Sequence, residues 1–136
     1  MRDVRPLKIT PADHFDAANG VLRVLDSHLM PFDVVRLFFI TALAGATRGQ
    51  HAHVAGQQFF IVMLGSIEVR IEDPERKHHV FSLNAGDCLL VPPLHWASEH
   101  FEDDASVLLV LCDSPYTESD YIRDYASFES IVTAPR

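Results

Sequence analysis

Positive charge is scarce in this chain. Eleven Lys and Arg stand against nineteen Asp and Glu, a formal net charge of −8, so the long-range field repels nucleic acid and anionic lipid surfaces alike. Neither is expected as a partner, and any phosphate-bearing ligand needs a few locally placed arginines. Cysteine is nearly absent: Cys88 and Cys112 each lie inside an apolar run and form no spaced framework for disulfides. A cytoplasmic location is the expectation. No apolar run reaches the roughly 18 residues of a membrane span, and the first ten residues, MRDVRPLKIT, lack the apolar stretch of a signal peptide. A chain of 136 residues has room for one domain, 1–136, and its 48% apolar content supplies a core.

Turn residues break the chain at short intervals, at Asn19-Gly20, Gly45, Gly49, Gly65-Ser66, Asp73-Pro74, Asn84-Ala85-Gly86 and Pro92-Pro93. Between them, residues 34–40, 59–64 and 107–111 are β-branched or aromatic runs suited to strands buried on both faces. Residues 67–72 alternate apolar and polar, as a half-exposed strand does. The two-residue Gly65-Ser66 link predicts a type II′ hairpin joining 59–64 to 67–72. Short strands so connected point to an all-β sandwich or small barrel. One helix is expected over 118–131, capped by Ser119, because Tyr121, Ile122, Tyr125, Phe128 and Ile131 recur at helical spacing. Residues 132–136 are expected to be a frayed tail.

His51-Ala52-His53 is the first chemically suggestive feature. On a strand, residues i and i+2 share a face roughly 6.6 Å apart, so two imidazoles address one small ligand or one metal ion. The frame Gly45-x5-His51-x-His53-x4-Gln58-x6-Gly65, then Gly86-x5-Pro92, resembles the two motifs of the cupin superfamily, which implies a double-sheet jelly roll with its site at the barrel mouth. Metal-binding cupins supply three His and one Glu. Here those places hold Gln58 and Ala97, and only His95, two residues before Ala97, is available as a substitute. A site without metal or other cofactor is therefore expected, with His51 and His53 as free imidazoles able to carry protons near neutral pH.

Pro31-Phe32 with Arg36, the run Arg48-Gly49-Gln50-His51-Ala52-His53, Gln58, Gly65, Pro92 with Trp96, and residues 116–123 (YTESDYIR) narrow the resemblance. Together they are similar to the sugar-nucleotide 3,4-ketoisomerases, cupin enzymes that include WxcM-like C-terminal domains and act on dTDP-4-keto-6-deoxyglucose in deoxysugar biosynthesis. The resemblance implies an isomerase that passes through an enediol, with His53 as the shuttling base and His51 as its donor or orienting partner. Arg48 and Arg36 are placed toward the diphosphate or a sugar oxygen, with a structural ion pair as the alternative for Arg36. Gln58 is expected on a sugar hydroxyl, and His95 is counted among the ligand-facing residues. Trp96 stacks on the base or sugar, or else belongs to the core or a dimer interface. Tyr121 is expected in core packing, and Arg123 in a pair with Asp120 or Asp124. Family members form dimers that often exchange N-terminal strands, here residues 1–30.

Three departures stand out. Phe38 and Phe39 occupy a strand where tyrosine is usual, Ala97 follows Trp96 where a polar residue is usual, and Asn19-Gly20 replaces an Arg-Gly pair. They leave open a non-catalytic sugar-nucleotide-binding protein, and the histidines leave open a metal-dependent oxygenase or hydrolase.

Overall fold

The computed structural model describes residues 5–135; residues 1–4 of the expected N-terminal segment and Arg136 of the expected tail lie outside it. Two five-stranded antiparallel sheets face each other. In the first, β1 (Leu7–Ile9), β9 (Cys88–Val91), β6 (Gln58–Leu64), β11 (Ser106–Cys112) and β4 (Arg36–Ala42) lie side by side in that order. In the second the order is β12 (Tyr121–Ile122), β5 (Thr47–His53), β10 (Trp96–Phe101), β7 (Ser66–Glu72) and β8 (His78–Asn84). The hairpin of β2 (Ala12–Asp16) and β3 (Gly20–Val24) stands apart. This is the expected all-β cupin jelly roll with a short C-terminal helix, α1 (Tyr125–Thr133).

The main core fills the space between the sheets. Phe60, Val62, Leu108 and Val110 come from the first, and Ile67, Val69, Ile71 and Phe101 from the second. The outer face of the first sheet is covered as well: Phe59, Cys88 and Leu111 pack against Ile9, Leu25, Met30 and Phe32. Strand β6 is thus apolar on both sides, which explains its uninterrupted run, whereas β7 turns alternate residues toward solvent.

Two sequence expectations fail here. Gly65-Ser66 does not close a hairpin, because β6 pairs with β9 and β11 while β7 pairs with β8 and β10. The chain turns a corner from one sheet to the other, so the two apolar faces meet across the core instead of lying in one layer. Gly65 has φ 83°, and a Cβ on it would come within 2.4 Å of Ser106 Oγ, so only glycine fits the corner.

The helix also begins later than 118 and runs to Thr133, so Val132 and Thr133 of the expected frayed tail belong to it. Residues 118–120 form a 3₁₀ turn, Tyr121 and Ile122 pair with His53 and Ala52, and only then does α1 begin. Asp124, not Ser119, is the cap: its carboxylate accepts from Ser127 N at 3.0 Å. The strand wins over the helix at Ile122 because extended pairing buries it with Ala52 and Phe128, a cluster joined by Trp96 and Val132.

Candidate active site

Strand β5 presents both histidines. Their ring centroids are 5.1 Å apart with planes at 86°, and Tyr121 packs against both, at 4.4 Å from His53 and 5.2 Å from His51. The expectation of two same-face imidazoles holds, but Tyr121 is part of the site and not of the core. Its hydroxyl accepts from Arg36 Nη2 at 3.2 Å, and the same guanidinium reaches Cys112 Sγ at 3.4 Å. Arg36 comes from β4 on the opposite sheet, so the site closes across the barrel mouth.

Behind His53 stands Asp120, which the sequence reading missed. His53 Nδ1 lies 3.0 Å from Asp120 Oδ2, while Asp120 Oδ1 accepts from Ala55 N at 2.8 Å and Gly56 N at 3.4 Å. A carboxylate anchored by backbone amides accepts a hydrogen bond from Nδ1–H, which leaves the lone pair on Nε2. That Nε2 is buried with no partner, as are His51 Nδ1 and Arg36 Nε. A small cavity is lined by Arg36, His53, Gln58, Cys112, Asp120 and Tyr121.

Electrostatics keep both rings neutral. Burial, then the neighbouring His53 and Arg123, bring His51 down to about 4. Burial lowers His53 too, against the opposing pull of Asp120. A neutral imidazole with a free Nε2 is a proton acceptor.

The other expected residues divide. Gln58 is buried beside Cys112, with Nε2 3.9 Å from Sγ, and lines the cavity. Arg36 makes no ion pair with an acid among the described residues, so the structural-pair alternative for it falls away. Arg48 is on the imidazole face, for a reason that simple alternation hides. A bulge in β5, with Gly49 at φ 80° and Gln50 at φ 56°, shifts the register so that His51 opposes Ala97 and Arg48 opposes Glu99. Without it, positions 48 and 51 would face opposite ways.

Trp96 and His95 do not join the site. Trp96 packs on Tyr125 and Phe128 at 5.3 and 5.7 Å and so holds α1 to the sheet. His95 is buried in the turn before β10, with Nδ1 2.8 Å from Pro93 O and with Asp73 and His79 nearby. Strand β10 begins only at Trp96, so His95 lies outside the extended path that would have aligned it with Ala97. Among the described residues, no three His, Cys, Asp or Glu side chains are grouped to hold a metal ion. Arg123 pairs with Glu118, not with Asp120 or Asp124, at 2.7 and 3.0 Å, and lies over the Tyr121 ring at 4.3 Å.

A jelly roll with paired histidines at its mouth defines a cupin. The family described as WxcM-like, C-terminal (FdtA) matches residues 5–133, and the chain belongs to that family. A TDP-4-oxo-6-deoxy-alpha-D-glucose-3,4-oxoisomerase of Aneurinibacillus thermoaerophilus is 27% identical over 118 residues, covering 86% of this chain and 85% of that one. The structure of QdtA, a sugar 3,4-ketoisomerase of Thermoanaerobacterium thermosaccharolyticum in complex with TDP, is similar with a TM-score of 0.84 and 31% identity, covering 93% of each chain. WlaRA, a TDP-fucose-3,4-ketoisomerase of Campylobacter jejuni, is similar with a TM-score of 0.82 and 26% identity, covering 96% of this chain and 97% of its own.

Proposed function

We propose that this enzyme, a sugar-nucleotide 3,4-ketoisomerase in deoxysugar biosynthesis, moves the keto group of a dTDP-4-keto-6-deoxy-hexose from C4 to C3 by metal-independent proton transfer through an enediol. The observation that carries the reading is His53 Nε2, buried without a partner beside a cavity while Asp120 holds Nδ1. In the forward direction Nε2 takes the proton from C3, and the electrons form the C3–C4 double bond as negative charge moves to O4. Arg36, with the Tyr121 hydroxyl it holds, supplies positive potential and a donor for that oxygen. Returning the proton to C4, while the O3 proton passes to O4 by way of His51, leaves the carbonyl at C3. Proton transfer by a positioned base contributes about 10²–10⁴-fold.

The resemblance to TDP-binding relatives supports the nucleotide, and Arg48, on the imidazole face, suits its diphosphate. A second copy of the chain is the proposed partner. Phe15 and Leu22 of the hairpin are 74% and 61% exposed, and Leu37 and Phe39 on the edge strand β4 are 57% and 69% exposed, more apolar surface than a lone barrel rim leaves bare. Within the expected 1–30 exchange segment Leu7–Ile9 pair with β9 of the same chain, so the hairpin Ala12–Val24 is the part proposed to meet the partner, the whole chain working as one domain in the cytoplasm. No helix among the described residues is long and apolar enough to cross a membrane.

The test is incubation with dTDP-4-keto-6-deoxyglucose in deuterated water, followed by NMR. A 3-keto product with deuterium at C4 supports the reading, and His53→Asn must abolish both product and exchange. An unchanged spectrum with the unaltered protein overturns it, as does wild-type exchange in the variant. Sedimentation as a monomer overturns the dimer.

A further inference from the structure

Glu99 is a charged residue type placed inside the barrel. It is 4% exposed, sits on the same face of β10 as the core residues Ala97 and Phe101, and its Oε2 has no hydrogen-bond partner. The carboxyl lies over Gly49, where a Cβ would meet Oε2 at 1.9 Å, so the β5 bulge makes its room. Across β7 it opposes Val69, and Phe38, Ile40 and Leu108 of the facing sheet are apolar. The ionisable groups on its face of β5 are Arg48, directly opposite, His51, opposite Ala97, and His53 beyond it, and Arg36 shares the inward face of β4 with Phe38 and Ile40. Arg48 itself is exposed and makes no hydrogen bond or ion pair among the described residues, because β12 covers β5 only at Ala52 and His53. A guanidinium thus stands opposite a buried carboxyl without bonding to it.

We propose that Glu99 is a positioning residue for ligand binding, an uncharged carboxyl that leaves Arg48 free for the diphosphate of a sugar nucleotide and that captures Arg48 once it ionises. The inference rests on the sugar-nucleotide reading above and assigns the control of one of its anion contacts. Burial pushes the Glu99 carboxyl up to about 8, with its own backbone N–H and then Arg48 pulling the other way. At neutral pH the acid is therefore mostly protonated. When the proton leaves, the ion pair with Arg48 is the way to keep the charge inside, and a ligand anion then competes with Glu99 for one guanidinium.

The experiment is titration calorimetry with dTDP-glucose, whose diphosphate keeps a constant charge from pH 6 to 9, on the full chain and on E99Q, E99M and R48Q. If only the protonated form binds, the dissociation constant rises roughly tenfold between pH 7 and pH 9, in step with the ionised fraction. Expected results are that rise in the unaltered protein, a flat profile at the pH 7 affinity in E99Q, and weak, pH-independent binding in R48Q. E99M, which fills the same space without a polar atom, repeats the flat profile if E99Q folds poorly. A pH rise that survives in both Glu99 variants overturns the proposal, as does undiminished binding by R48Q or no binding of dTDP-glucose by the unaltered protein. Isomerisation is followed separately: normal pH-dependent binding without turnover sinks the proposed reaction and leaves this inference standing.

Discussion

Replacing Asp120 by asparagine changes a single atom type, yet the geometry leaves the amide no satisfactory orientation. If its oxygen stays toward Ala55 N and Gly56 N, its NH₂ points at His53 Nδ1. Nδ1 must then accept, the ring proton moves to Nε2, and the lone pair facing the cavity is gone. If the amide flips, the oxygen serves His53 but the NH₂ confronts two backbone N–H donors. Exchanging a charge-assisted bond for a neutral one and leaving a buried donor unpaired together cost about 2–4 kcal/mol, or roughly 30- to 1000-fold in rate. The assay is C3 proton exchange of dTDP-4-keto-6-deoxyglucose across pH 5–9, with thermal melting to confirm that Asp120→Asn folds. The two influences of Asp120 that raise the His53 pKa weaken in the variant, so the acid limb of any residual activity moves to lower pH. Exchange within threefold of the unaltered protein, with that limb unmoved, refutes the assignment of Asp120 as the group that orients the base.

Three further outcomes are expected. Phe128→Ala removes a fully buried ring from the cluster of Trp96, Ile122 and Ala52, and denaturant melts should show a loss of about 3–5 kcal/mol. Glu99 has a folded pKa of about 8, above its usual 4.5, so its contribution to stability is complete below 4.5 and is lost as pH rises through about 8. The whole gap is worth about 5 kcal/mol, and melting temperatures of E99Q followed from pH 5 to 9 should fall less than those of the unaltered protein. Cys88 is buried and its thiol is pushed up to about 11 by burial and Asp87, and Cys112 is buried beneath Arg36 and Gln58. Neither should react with a thiol reagent at pH 8 until denaturant is added, when both should.

Most strands were legible because their apolar runs and turns are local signals. The continuous run of β6 and the alternation of β7 each reported how many faces of the strand are buried. What those patterns do not encode is which strand lies beside which, so Gly65-Ser66 read as a hairpin although the chain turns between sheets there. The imidazole pair was legible from period-two geometry, and Arg36 and Gln58 from the motif frame that holds them. Tyr121 and Asp120 were not, since both reach the histidines from nearly seventy residues along the chain through a two-residue strand. The spacing of Tyr121, Ile122, Tyr125 and Phe128 suits a helix equally well, and tertiary pairing decided between the two. Asp124 followed by Ser127 was the local sign that the helix begins later. His95 was not legible because it lies in the turn before β10, outside the extended strand, and Trp96 takes the packing role that was its alternative.

The kink at Gly49 and Gln50 resolves an odd–even mismatch. A cation and a proton carrier three positions apart along a flat ribbon would look out on different worlds, one wet and one enclosed. One surplus residue brings them to the same side. Excising Gln50 should therefore straighten the ribbon yet leave both on that side, since they would then stand two positions apart, whereas inserting one more residue there should send them to opposite sides.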